Sequence, residues 1–137
     1  IEPMLYGDFF KDVIFVNADK HPVMVEMAEA FHGPVAMAKH AGLPWDAVLS
    51  AELFGRFKPD PAVYLGAARL LGLAPGQVLM VAAHPFDLVA AKKAGLKTAY
   101  IPRPDEYGPG GRMEPVGDAV FDIVATDLVD LATQLGC

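Results

Sequence analysis

A single cysteine, Cys137, gives the 137-residue chain no partner for an intrachain disulfide, which excludes a small scaffold stapled by disulfides. No apolar run reaches the roughly 18 residues that a membrane-spanning helix needs. No charged-then-apolar leader opens the sequence either, and these features together lead to the expectation of a cytoplasmic protein with no membrane partner. Basic residues are in short supply, 11 against 17 acidic ones, for a formal net charge of −6 and a pI near 5.0. They form no stripe interleaved with aromatics, so nucleic acid is not expected as a partner. An initiator methionine is also missing, since the chain opens on Ile1, and the expectation is a fragment or a trimmed chain.

What the sequence does have is apolar residues, 53% of the total, with a mean hydropathy of +0.31. That composition excludes disorder. A chain of this length buries roughly two thirds of the surface its unfolded form exposes, so one core and one domain over residues 1–137 are expected. One phrase occurs three times: MAKHAGLP (37–44), AARLLGLAP (67–75) and AAKKAGLKT (90–98). Each is a helical stretch running into Gly42, Gly72 or Gly95 and then a leucine, the pattern of a left-handed glycine just past a helix end with an apolar contact behind it. Short β-rich runs follow the second and third, QVLMVAA (77–83) and KTAYIP (97–102). Their near-continuous apolar character predicts strands covered on both faces. Further strands are predicted at DVIFVN (12–17), AVLSAEL (47–53) and AVFDIVA (119–125), with Asp60 and Asp127 as N-caps and Pro61 as the first residue of a helix. Residues 102–117, rich in Pro and Gly, read as a surface loop. The alternation predicts an α/β doubly wound, Rossmann-like fold: a mainly parallel sheet with helices on both faces and ligands at the carboxyl ends of the strands.

The candidates for chemistry are therefore the polar residues directly behind apolar runs: Asn17 and Asp19, Lys58, and His84 with Asp87. Each has a plain structural account. Lys58 could be a surface residue beside a helix start, Asp87 a first-turn acid facing the helix dipole, and His84 a solvent-facing loop residue. Trp45, after a helix-ending leucine, reads as packing.

The block FKPDPAVYLGAARLLGLAPGQVLMVAAHPFDLVAAKKAGLKTAYIPRP, extended on both sides by MAKHAGLPWDAVLSAE and PRPDEYGPGG, resembles the haloacid dehalogenase superfamily core. More narrowly it is similar to the type II 2-haloacid dehalogenases, over about residues 36–111. The resemblance implies that Lys58 is the lysine whose ammonium balances the charge of a nucleophilic aspartate. It implies that Asp87 is the acid that positions that lysine and the catalytic water in dehalogenases, and helps hold magnesium in the phosphatase branches. Departures from the pattern are equally informative. Phosphatases carry Gly-Asp where this chain has Ala82 and Ala83, so a magnesium site would lack a ligand and neither metal nor cofactor is expected. Many type II dehalogenases have Ser-Ser-Asn where this chain has Ala82-Ala83-His84, which leaves His84 as the polar contact for substrate or water.

The superfamily also begins with a strand ending in an Asp-x-x-Gly-Thr-like sequence whose first aspartate attacks the substrate, and no such stretch exists here. DVIFVNADKHP can stand for that first motif, with Asn17 in place of the nucleophile and Asp19 in its second position. It can stand instead for the second motif, with Asn17 replacing the Ser or Thr that binds the substrate carboxylate, or for neither. The second motif fits the order of the blocks better, although HPVMVEMAEAFHGPV is long for the connection and carries Gly33-Pro34. Residues 1–35 match the family poorly, and on the second reading the nucleophile strand and helical cap, which come earlier in family members, are expected to be absent. The expected function is hydrolysis of a short 2-haloacid through an aspartyl ester, incomplete in this chain. The alternatives are a non-catalytic α/β domain that binds a partner or a small carboxylate and, behind it, a magnesium phosphatase. A missing first strand would leave open strand edges, so a homodimer is an expected partnership.

Overall fold

The computed structural model describes residues 12–18, 21–28, 40, 42, 46–108 and 112–136, with β1 and β2 described as backbone. Asp19, Trp45 and most of the first glycine-ended helix lie outside the described residues. The strands are β1 (Asp12–Ala18), β2 (His21–Ala28), β3 (Ala47–Ser50), β4 (Val78–Ala82), β5 (Lys97–Tyr100) and β6 (Ile123–Val124). The helices are α1 (Pro61–Leu70), α2 (Pro85–Lys93) and α3 (Leu128–Leu135). One sheet forms in the order β3-β2-β1-β4-β5-β6. Pairings β2–β3, β4–β5 and β5–β6 are parallel, as a doubly wound fold requires, whereas β1 is antiparallel to both β2 and β4.

That antiparallel pair corrects the sequence reading, in which 21–28 is part of a connection. Two residues separate β1 from β2. A parallel neighbour needs a crossover of about a dozen residues or more, so so short a link can only make a hairpin. The hairpin sits between β3 and β4, and among the described strands the edges of the sheet are β3 and β6. β4 is therefore paired on both sides, by β1 and β5.

The two sides of the sheet follow from the alternation along β4. Val78, Met80 and Ala82 pack with Val63, Tyr64, Ala67 and Ala68 of α1 and Leu88 and Ala91 of α2. Leu79 and Val81 point the other way, toward Ala99, Ala125 and Leu131 of α3. All five β4 residues are buried, which explains why the run is apolar at every position instead of every second one. Gly72 and Gly95 close α1 and α2 with φ of +69° and +93°, and the Leu73 and Leu96 amides bond back to Ala68 and Ala91. Asp60 caps α1 by accepting from the Ala62 amide at 2.8 Å. The predicted strand 119–125 shrinks to two residues because Asp122 turns its carboxylate onto Thr98 of β5, accepting from its amide at 2.8 Å and its hydroxyl at 3.0 Å. Among the described residues no helix is long and apolar enough to cross a membrane.

Candidate active site

Lys58 stands just before α1 and Asp87 is the third residue of α2, and both helices cover the same face of the sheet. Their packing brings Lys58 Nζ to 3.0 Å from Asp87 Oδ2, with side-chain exposures of 12% and 3%. The other carboxylate oxygen, Oδ1, accepts from the hydroxyl of Tyr64, which is fully buried in α1. Asp87 is thus held by two side chains from another segment, not by the backbone amides of its own helix start, so the helix-cap account does not describe its bonds. A carboxylate this deep must be paired, since a bare buried charge is prohibitively costly. Burial, and then the hydrogen bond and charge of Asp87, push the Tyr64 phenol well above the ordinary tyrosine range. It therefore remains a donor to Asp87 throughout the neutral range.

Tyr64 escaped the sequence reading, though a signal existed. It falls on the buried stripe Val63, Tyr64, Ala67, Ala68 of α1, where a tyrosine needs a partner for its hydroxyl. It also follows Lys58 by six residues, so a single helix start aims both groups at one acid.

His84 is the N-cap residue of α2, and its side chain makes no capping bond. Its Nε2 lies 3.2 Å from Glu106 Oε1 and 3.4 Å from the hydroxyl of Tyr107, both on the loop after β5. Arg103 Nη2 donates to the same Glu106 oxygen at 2.7 Å. The loop is tied to the end of β4 through the Ile101 amide, which donates to the Ala82 carbonyl at 3.1 Å. Lys58, His84 and Asp87 therefore gather at the carboxyl end of β4, where the strand order predicts a ligand.

Asn17 does not join them. Val16 is paired with Val78 and Asp12 with Ala82, so β1 runs against β4, and Asn17, opposite Pro22, lies beyond the amino end of β4. At about 3.3 Å per residue, the length of β4 alone puts roughly 13 Å between the two ends. The sequence reading placed Asn17 behind a strand pointing the same way as β4, and the hairpin reverses that direction.

Magnesium does not suit the donors present. Both Asp87 oxygens are engaged, one by a cation, position 83 is alanine, and among the described residues no group of three or more His, Cys, Asp or Glu could hold a metal.

The sequence profile of the haloacid dehalogenase-like hydrolases matches residues 38–101. A solved L-2-haloacid dehalogenase superposes with a TM-score of 0.75 at 50% identity, over 81% of this chain and 49% of that one. The (S)-2-haloacid dehalogenase of Xanthobacter autotrophicus is 37% identical over 70 residues, 50% of this chain and 28% of that protein. Hexitol phosphatase A of Escherichia coli K12 is 40% identical over 74 residues, 52% of this chain and 34% of that protein. A match of a different kind is 73% identical over 41 residues to NADH-quinone oxidoreductase subunit L of Neisseria meningitidis serogroup A, 30% of this chain. That stretch is 6% of the subunit, too small a share to bring its fold or activity with it. The chain spans half or less of the length of each of these proteins. Through residues 38–101, which set Lys58, Tyr64, His84 and Asp87 on one α/β frame, the chain resembles the haloacid dehalogenase-like hydrolases, and the proteins it is similar to include both dehalogenases and phosphatases.

Proposed function

We propose that this chain carries part of a hydrolytic site of the 2-haloacid dehalogenase kind, acting on a short 2-haloacid without metal or cofactor. The observation that carries the reading is the Lys58–Asp87 pair behind Ala82 and Ala83, which supplies a cation and one acid where a phosphatase needs two acids around magnesium. In this reading the Lys58 ammonium faces the anionic groups of the reaction, Asp87 holds that ammonium in place, and Tyr64 holds Asp87. His84 supplies the polar contact to substrate or water. An aspartate would displace halide from the α-carbon and water would then cleave the ester. The sequence offers no Asp-x-x-Gly-Thr-like nucleophile, so these 137 residues alone bind the 2-haloacid and turn it over slowly or not at all.

A second reading is a carboxylate-binding domain without chemistry, favoured by the position of Asn17 at the far end of the sheet. Two assays on the purified chain separate the possibilities: equilibrium binding of 2-chloropropionate, and chloride release from it. Binding that weakens in Lys58→Ala supports the site. Chloride release that disappears in Lys58→Ala would show the site to be complete and overturn the inactivity. Binding with no release over days, and no tighter for 2-chloropropionate than for propionate, favours the second reading. Magnesium-dependent cleavage of p-nitrophenyl phosphate would move the chain to the phosphatases.

A further inference from the structure

Glu106 is an acid on the loop after β5 with a side chain only 9% exposed. Two neighbours share its Oε1. Arg103, three residues back, donates at 2.7 Å and braces the loop from within, helped by the Glu106 amide bonding to the Arg103 carbonyl at 3.2 Å. His84 reaches it from the β4–α2 junction, with Nε2 at 3.2 Å. A lone pair on Nε2 would be repelled by a carboxylate oxygen at that distance, so Nε2 carries a proton and Nδ1 is the nitrogen left for a ligand. No described residue hydrogen-bonds Nδ1, and the ring does not cap α2.

We infer that Glu106, braced by Arg103, is a positioning residue for His84: it grips the imidazole by Nε2 and so fixes the Nδ1 face toward whatever binds at the carboxyl end of β4. The inference rests on the reading of His84 as a contact for substrate or water, and it adds the element that makes such a contact directional. An N-cap histidine without a capping bond rotates about two side-chain torsions, and a ring free to turn spends little time in any one orientation. Clamped from a second strand connection, the ring offers one nitrogen in one place, the preorganisation that a small ligand with few polar atoms depends on.

The test is a double-mutant cycle on the full chain, with 2-chloropropionate as the probe and ring proton NMR of His84, identified by its loss in His84→Ala, as a readout that needs no ligand. Glu106→Ala is expected to weaken probe binding at least fivefold. Glu106→Gln, whose amide oxygen can still accept from Nε2, is expected to stay within about twofold of the parent. In a His84→Ala background Glu106→Ala is expected to change nothing further, because its effect runs through the ring, and the His84 ring signals are expected to move in Glu106→Ala and hold in Glu106→Gln. An equal loss with and without His84 would overturn the inference and leave Glu106 a loop brace. If the parent does not bind the probe, the substrate reading falls, and the ring signals decide the positioning role alone: unmoved signals in Glu106→Ala overturn it.

Discussion

Lys58 Nζ and Asp87 Oδ2 meet at 3.0 Å across 29 residues of sequence, and the aspartate side chain is only 3% exposed. The pair unites the α1 start with the α2 start, so the same contact that defines the site also ties two helices together. Removing one partner from such a pair strands the other charge. Lys58→Met is therefore expected to destabilise the fold by about 3–5 kcal/mol, measured by urea unfolding. Adding Asp87→Asn removes the stranded charge and is expected to recover part of the loss. If the double variant is as unstable as the two single losses added together, the pair is not coupled and the site as described is wrong.

Tyr64 supplies the second bond to Asp87, and Tyr64→Phe deletes that donor while leaving the ring in the core. The expected cost is about 1–3 kcal/mol, for a buried acceptor that loses a partner. The pH sense is fixed by the raised phenol. A group whose folded-state pKa lies above its unfolded value contributes stability fully below the ordinary tyrosine range, near pH 10, and loses it as pH climbs through the folded value. The gap between parent and Tyr64→Phe in thermal unfolding should thus be constant from neutral pH to about pH 9 and narrow only above about pH 10. A gap that already closes at neutral pH would contradict a buried, protonated phenol.

How much of this was legible in the residues differs from element to element. Val78–Ala82 was plain because a strand covered on both faces must be apolar throughout, and the glycines behind α1 and α2 were plain because a positive φ excludes most other residues. Lys58 and Asp87 were visible as polar residues behind apolar runs, and the family-like order of the blocks raised them further. The hairpin was missed although its signal was present. DVIFVNA and HPVMVEMA are two β-rich runs separated by two residues, but matching them to an order of motifs favoured a connection over a turn. Tyr64 and Glu106 were missed for another reason. Their roles depend on which side chain stands opposite in space, 23 residues away for Tyr64 and Asp87, and no local pattern carries that.

Asp122 tests the join between β5 and the closing segment. Partial burial would raise its carboxyl pKa, but the Thr98 amide and hydroxyl, with Lys92 at 3.4 Å, outweigh that and hold it below the usual carboxylate range. A depressed folded pKa means stability present above the unfolded value, near pH 4, and lost as pH falls through the folded one. With the side chain partly open to water, Asp122→Ala is expected to cost about 1 kcal/mol at pH 7. Its chemical-denaturation curve should converge with the parent's below about pH 3. Curves that stay separated in acid would show that the loss is packing and not charge.

Gly66 links packing to the site. It lies buried in the middle of α1, and a methyl group there would sit 2.6 Å from both Cδ1 and Cε1 of Phe54. Phe54 closes the short turn that follows β3 and packs, half-buried, against the main core. Helix propensity alone favours Gly66→Ala by about 1 kcal/mol. The collision works against it, because the Phe54 ring has to give way to the added methyl, and overpacking of this kind typically costs about 1–3 kcal/mol. The net expectation is a destabilised protein. Its consequence reaches the chemistry, since Phe54 opens the segment 54–60 that delivers Lys58 to Asp87. Gly66→Ala should therefore weaken 2-chloropropionate binding although it lies outside the site. Phe54→Leu provides the control: with the ring edge gone, the added methyl finds room, and Gly66→Ala should become neutral or mildly stabilising in that background. A Gly66→Ala protein that melts higher than the parent with Phe54 intact would show that the ring does not press on α1 as the structure has it.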